Sequence, residues 1–109
     1  MRKVFNKLVR DKIPEIIKQN NEIATVRLLN DKEYKEELNK KLLEECNEII
    51  NATSTNETLE EIADILEVID SIIKLNNLTI EECKKIQQEK RVKRGGFKKR
   101  IFLIETDNK

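Results

Sequence analysis

Residues 59 to 75 read LEEIADILEVIDSIIKL, and at about 100° per residue this segment is apolar around most of a helix. With Ile62 at zero, the apolar residues run from Leu75 at about 220° and Val68 at about 240°, through Ile72, Ile65, Ile69, Ile62, Ile73, Leu66 and Leu59, to Ala63 at about 100°. An arc of about 240° is too wide for one neighbouring helix to cover. A chain of 109 residues is one domain by size, 1–109, and its core is lean, since a chain of this length buries only about two-thirds of its unfolded surface. The missing neighbours are expected from another copy. The expected fold is therefore mainly α: antiparallel helix pairs that form a four-helix-bundle core on oligomerisation, as a homodimer or homotetramer.

The remaining elements follow from caps and breakers. Pro14 suits the first turn of a helix running to about Asn20, where its missing N–H costs nothing. The β-branched run IATVRLL, 23–29, reads as a short strand. Asp31 is placed to cap a helix from Lys32 to Ala52, and the polar run NATSTNET, 51–58, ends it. The wide-arc helix spans Glu57 to Leu75, capped by Thr55 or Asn56. Asn76 and Asn77 break it, Thr79 caps a last helix ending by Arg91, and GGF at 95–97 turns the chain into a terminal strand, RIFLIE.

The same wheels place acids where acids are costly. Glu61 falls at about 260°, inside the apolar arc, and Asp64 at about 200°, one turn along on the same side. Asp70 lies at about 80°, on the far side. In the preceding helix, with Leu42 at zero, Leu38, Cys46, Ile49, Ile50 and Leu43 make an apolar stripe, bordered by Glu45 at about 300° and Glu48 at about 240°. A carboxylate among aliphatic side chains loses hydration, which costs several kcal/mol unless a cation or proton compensates. Two antiparallel helices bring the pairs Glu45, Glu48 and Glu61, Asp64 toward one another. An all-oxygen set of this charge suits Mg²⁺, with Mn²⁺ as a substitute, and no soft metal. The alternative is a set of surface ion pairs in which Lys40, Lys41 or Lys74 neutralises the acids and Glu61 sits at the rim.

Charge is segregated along the chain. Asp31 to Asp70 holds thirteen acids against four lysines, and Lys90 to Arg100 holds seven cations and no acid. Arg2, Lys3, Lys7, Arg10 and Lys12 make the start basic as well. A cation site beside an anion site gives this pattern, and so does self-complementarity of the fold. Cys46 and Cys83 have no CxxC partner, and the chain has no histidine, so they read as buried thiols of a reducing compartment. No apolar leader and no run of about 18 apolar residues is present, which leads us to expect a cytoplasmic protein without a membrane partner.

EECNE at 44–48 followed by EEIAD at 60–64 resembles the EExxE and ExxD pair of the all-α nucleoside triphosphate pyrophosphohydrolase superfamily, the group of MazG and phosphoribosyl-ATP pyrophosphohydrolase. FNKLVRDKIPEII, 5–17, and KRGGFKKRIFLIE, 93–105, are similar to the termini of its small phosphoribosyl-ATP pyrophosphohydrolase-like members. The resemblance implies hydrolysis of a nucleotide between its α and β phosphates, giving the monophosphate and pyrophosphate. It implies Glu45, Glu48, Glu61 and Asp64 as Mg²⁺ ligands, with Glu44 a candidate farther out, and Glu48 and Glu45 as the catalytic carboxylates; one carboxylate orients the attacking water, Glu48 being a candidate that the sequence does not single out. Phosphate contacts are expected from Lys7, Arg10, Lys12, Lys93 and Arg94, because Arg grips phosphate bidentately and Gly95 and Gly96 let backbone approach it. Nothing beyond these motifs separates phosphoribosyl-ATP from a general nucleoside triphosphate. Two rival readings are a nucleic-acid-binding or regulatory module using VKRGGFKKR, and a purely structural helical partner. Sparse aromatics disfavour nucleic acid, since single strands call for stacking platforms.

Overall fold

The computed structural model describes residues 2–108 and is mainly helical. Among the described residues four helices follow in order: α1, Ile13–Gln19; α2, Asp31–Ile50; α3, Thr55–Leu75; and α4, Ile80–Arg94. The backbone forms two compact units, Met1–Asn77 and Leu78–Lys109, and each is described by itself.

In the first unit α2 packs on α3. The connector, 51–54, is short enough that α3 must turn back along α2. Local chemistry starts α2 one residue and α3 two residues before the expected points, and α2 ends at Ile50 rather than Ala52. Asn30, not Asp31, caps α2, its side chain accepting from the Glu33 N–H at 2.9 Å. Ser54, not Thr55 or Asn56, caps α3, accepting from the Glu57 N–H at 3.1 Å. Glu57 in turn accepts from the N–H of Thr53 at 2.9 Å and from its hydroxyl at 3.2 Å, one residue before the cap. The polar run 51–58 is thus half loop and half first turn. Ser54→Ala should cost about 1 kcal/mol and lower the melting temperature, while Thr55→Ala, one residue inside the helix, should change it little. Asn76 ends α3 and Asn77 takes φ 56°, a conformation asparagine tolerates.

As far as Ile72, only one side of the α3 arc is covered. Val68 is buried, and Ile65, Ile72, Glu61 and Asp64 are half-buried, all between about 200° and 300° on the wheel. Ile73 is buried too. Ile69, Ile62, Leu66 and Leu59, from about 340° to 60°, are exposed. On α2 Leu38 is buried at 3% exposure, whereas Leu43 and Ile50 are bare. Three buried aliphatic side chains are a small core for two helices of 20 and 21 residues.

The second unit holds α4, capped by the Thr79 hydroxyl, which accepts from the Glu82 N–H at 3.2 Å. It runs three residues past the expected end, to Arg94, because Arg91, Lys93 and Arg94 lie in its last turn, where cations favour the helix dipole. Gly95 then takes φ 83°, which a side chain would strain.

No strand occurs among the described residues. Both expected strands, 23–29 and RIFLIE at 100–105, run without regular structure. Their composition favours extended backbone, but a strand exists only when a neighbour takes its N–H and C=O groups, and neither segment has one. No described helix is long and apolar enough to cross a membrane.

Candidate metal centre

The turn between α2 and α3 brings the two carboxylate pairs together. Glu45, Glu48, Glu61 and Asp64 each offer an oxygen, and these four oxygens lie within 4.8 Å of one another. Glu45 and Glu48 are one turn apart on the last turns of α2, and Glu61 and Asp64 one turn apart near the start of α3. Antiparallel packing makes those ends neighbours.

Burial is distributed differently from the sequence expectation. Glu45, placed on the border of the stripe, is the buried acid at 6% exposure. Glu61, placed inside the apolar arc, is half-buried, and Glu48 is exposed. The cause is the choice of contact line: α3 turns its 200°–300° side to α2, so the α2 residues at about 300° to 340°, Glu45 among them, face inward. Two oxygens, Glu45 Oε2 and Glu61 Oε2, are sealed from solvent without a hydrogen-bond partner. A sealed oxygen with nothing to accept is costly in any protein.

The electrostatics express the same crowding. Hydrogen bonding to Glu48 is the main force raising Glu61, followed by lost hydration and its bond to Glu45, and together they push its pKa up to about 7. Glu45 is raised chiefly by burial. A carboxyl raised on folding binds a proton that the unfolded chain has already lost, so its stabilisation is complete below the ordinary carboxyl value and disappears as pH climbs through 7. Without divalent metal, the melting temperature should therefore fall between pH 5 and pH 8, and saturating Mg²⁺ should flatten that fall; calorimetry at both pH values checks this.

Cations ring the cluster. Arg10 Nη2 donates to Asp64 Oδ1 at 2.7 Å. Lys41 Nζ lies 3.6 Å from Glu44 Oε2 and 3.8 Å from Glu45 Oε1, and Lys7 Nζ lies 3.8 Å from Glu44 Oε1. Lys41 thus makes part of the alternative ion-pair set, while Lys40 pairs with Glu37 at 3.0 Å and Lys74 is exposed. None of the three lysines bonds to Glu61 Oε2 or Glu45 Oε2. Of the expected phosphate contacts, Lys7 and Arg10 reach the acids themselves, and Lys12 precedes α1. Lys93 and Arg94 close α4 in the second unit. Asp70 is exposed.

An open cleft of about 310 Å³ borders the cluster, lined by Asn47, Glu48, Asn51, Ala52, Glu57 and Glu61. Asn47 and Asn51 escaped the sequence reading. Their signal was present, because they sit one position before and three after Glu48 on the same helix end, but polar residues at a helix terminus read first as caps.

Opposed ligands of an octahedral Mg²⁺ stand about 4.2 Å apart, twice the 2.0–2.1 Å bond length. Four oxygens within 4.8 Å match that span with little contraction, and a cation among them would offset the crowding of the four acids. The donor set fits a hard divalent cation. Searches of protein-family models, curated proteins and solved structures find no match to this chain.

Proposed function

We propose that this protein is a Mg²⁺-dependent nucleotide pyrophosphohydrolase that cleaves a nucleoside triphosphate, or phosphoribosyl-ATP, between the α and β phosphates. The observation that carries the reading is Glu45: a carboxylate at 6% exposure, with one oxygen unpartnered, facing three more carboxylates. Such an arrangement is unfavourable unless a cation or a proton completes it, and four converging carboxylates suit a divalent cation. The order of motifs along the chain, EECNE then EEIAD between basic ends, supplies the reaction.

Glu45, Glu48, Glu61 and Asp64 would hold the ion. When bound, it supplies charge neutralisation at phosphate oxygens and acidifies a water. Burial suits Glu45 to anchoring, because its position is fixed on all sides. Glu48 is exposed and lines the cleft, so it is the carboxylate able to orient a water and take its proton. Asn47 and Asn51 line the cleft, the Asn51 amide nitrogen donating to the Asn47 carbonyl at 2.9 Å. Lys7, Arg10 and Lys12 are the cations of the first unit available to the phosphates, and Lys93 and Arg94 supply further positive charge on the second unit. Housekeeping of the nucleotide pool in the cytoplasm belongs to the same reading, and the free thiols Cys46 and Cys83 suit a reducing compartment.

The active unit is a homodimer or homotetramer in which the bare flanks of α2 and α3 meet their copies in a four-helix core. Ile23, Val26 and Leu28, and Ile101 through Ile104, are exposed, and as edge strands they would find their ladders in that assembly.

Incubation with a panel of nucleoside triphosphates and phosphoribosyl-ATP, followed by phosphorus NMR, tests the reading. Monophosphate and pyrophosphate should appear in equal amounts with Mg²⁺ and neither with EDTA. Release of inorganic phosphate alone, or no turnover of any substrate, would remove it. Oligonucleotide binding that collapses with salt would favour the module built on VKRGGFKKR instead.

A further inference from the structure

Residues 2–12 carry no regular secondary structure, yet they are tied to one acid of the cluster and to the neighbouring Glu44. Arg10 donates to Asp64 at 2.7 Å across 54 residues of sequence. Lys7 reaches Glu44 at 3.8 Å. The Arg10 carbonyl also accepts from the Ile13 N–H at 3.0 Å, so the start of α1 moves with it. We propose that this segment is a strap that closes over the metal centre in the absence of metal, with the Arg10 guanidinium as resident counter-cation of Asp64, and that a divalent ion on the four carboxylates releases it and frees Arg10 for the phosphates of the substrate.

The inference rests on the metal-centre reading and adds a coupling to it. Asp64 is the one acid of the four held by a strap cation, while Glu45 Oε2 and Glu61 Oε2 stay unpartnered. A guanidinium and a dication drawn to one carboxylate compete for its lone pairs and repel each other at close range. The latch is also suited to release: the Arg10 side chain is exposed and that of Asp64 partly so, at 57% and 38%, and an ion pair this open to water is weak. Because the two cations share one site, linkage is reciprocal: the strap weakens metal binding by the same factor by which metal weakens strap docking. The arrangement explains why a residue expected at the phosphates is found on a metal ligand. One group serves both, in sequence.

The test uses the full chain without nucleotide. Free Mn²⁺ counted by electron paramagnetic resonance gives its affinity for wild type and for Arg10→Gln, and the variant should bind about threefold tighter or more. In a Mg²⁺ titration of wild type, the Arg10 side-chain Nε–H resonance, assigned by its loss in the variant, should move from an ion-paired to a free-arginine position. Equal or weaker Mn²⁺ binding by Arg10→Gln, or an Arg10 resonance unmoved at saturating Mg²⁺, would overturn the strap while leaving the metal centre standing; the weaker case would make Arg10 a residue that orients Asp64. Failure of both proteins to bind Mn²⁺ would instead remove the metal centre, and the strap with it.

Discussion

Glu61→Gln, in the absence of metal, should melt at or slightly above the wild-type temperature and should lose the rise in melting temperature that Mg²⁺ gives wild type. The substitution is nearly isosteric and removes one charge from a site where four carboxylate oxygens lie within 4.8 Å, so it relieves repulsion. Mg²⁺ stabilises by binding the folded state alone, and that increment vanishes with the site. Pyrophosphate release should fall at least about 100-fold, because even residues that only support a metal ligand cost 10- to 100-fold when changed. A network of ion pairs predicts the opposite on both counts: a modest loss of stability and an unchanged metal response. Calorimetric scans of both proteins, each with Mg²⁺ and with EDTA, decide between them. A destabilised variant with a normal Mg²⁺ shift would return these acids to the status of charged helix edges. Glu45→Gln should behave in the same way, since burial raises Glu45 as crowding raises Glu61.

Leu66→Glu should dissociate the protein. Leu66 lies at 55% exposure in the middle of the uncovered flank of α3, among Leu59, Ile62 and Ile69. If a second copy covers that flank, the substitution places an unpaired charge in a desolvated interface, which costs several kcal/mol. For a domain of this size each kcal/mol lowers the melting temperature by about 4–8 °C, so a fall of more than about 10 °C is expected, with sedimentation shifting from two or more chain masses toward one. In a monomer the same change on an exposed position would be nearly neutral, within about 0.5 kcal/mol. Wild type that sediments as a fully active monomer at micromolar concentration, with Leu66→Glu unaltered in melting, would sink the assembly.

Much of the helical architecture was legible from local signals. Pro14, the Asn76–Asn77 break, the Thr79 cap and Gly95 act within a turn of their own position, and α1 through α4 appear where those residues put them. Caps one residue off, at Asn30 and Ser54, mark the limit of that legibility, because several adjacent polar side chains can each accept from a free N–H and only the realised backbone decides. The two segments read as strands, 23–29 and 100–105, run without regular structure for a different reason. Propensity is a property of the residue, whereas a ladder is a property of a pair of segments.

The candidate site divides along the same line. Spacing of i, i+3 puts Glu45 with Glu48 and Glu61 with Asp64 on single faces, and a short connector brings the faces together; the sequence by itself determined which four acids converge. Which of them is buried was settled by rotation about the helix axes, a tertiary variable. An apolar arc of about 240° accepts a partner along several lines, and the line α3 took turned Glu45 inward and left Glu48 at the cleft. Only packing, likewise, put Arg10 on Asp64, since nothing local relates residues 54 apart.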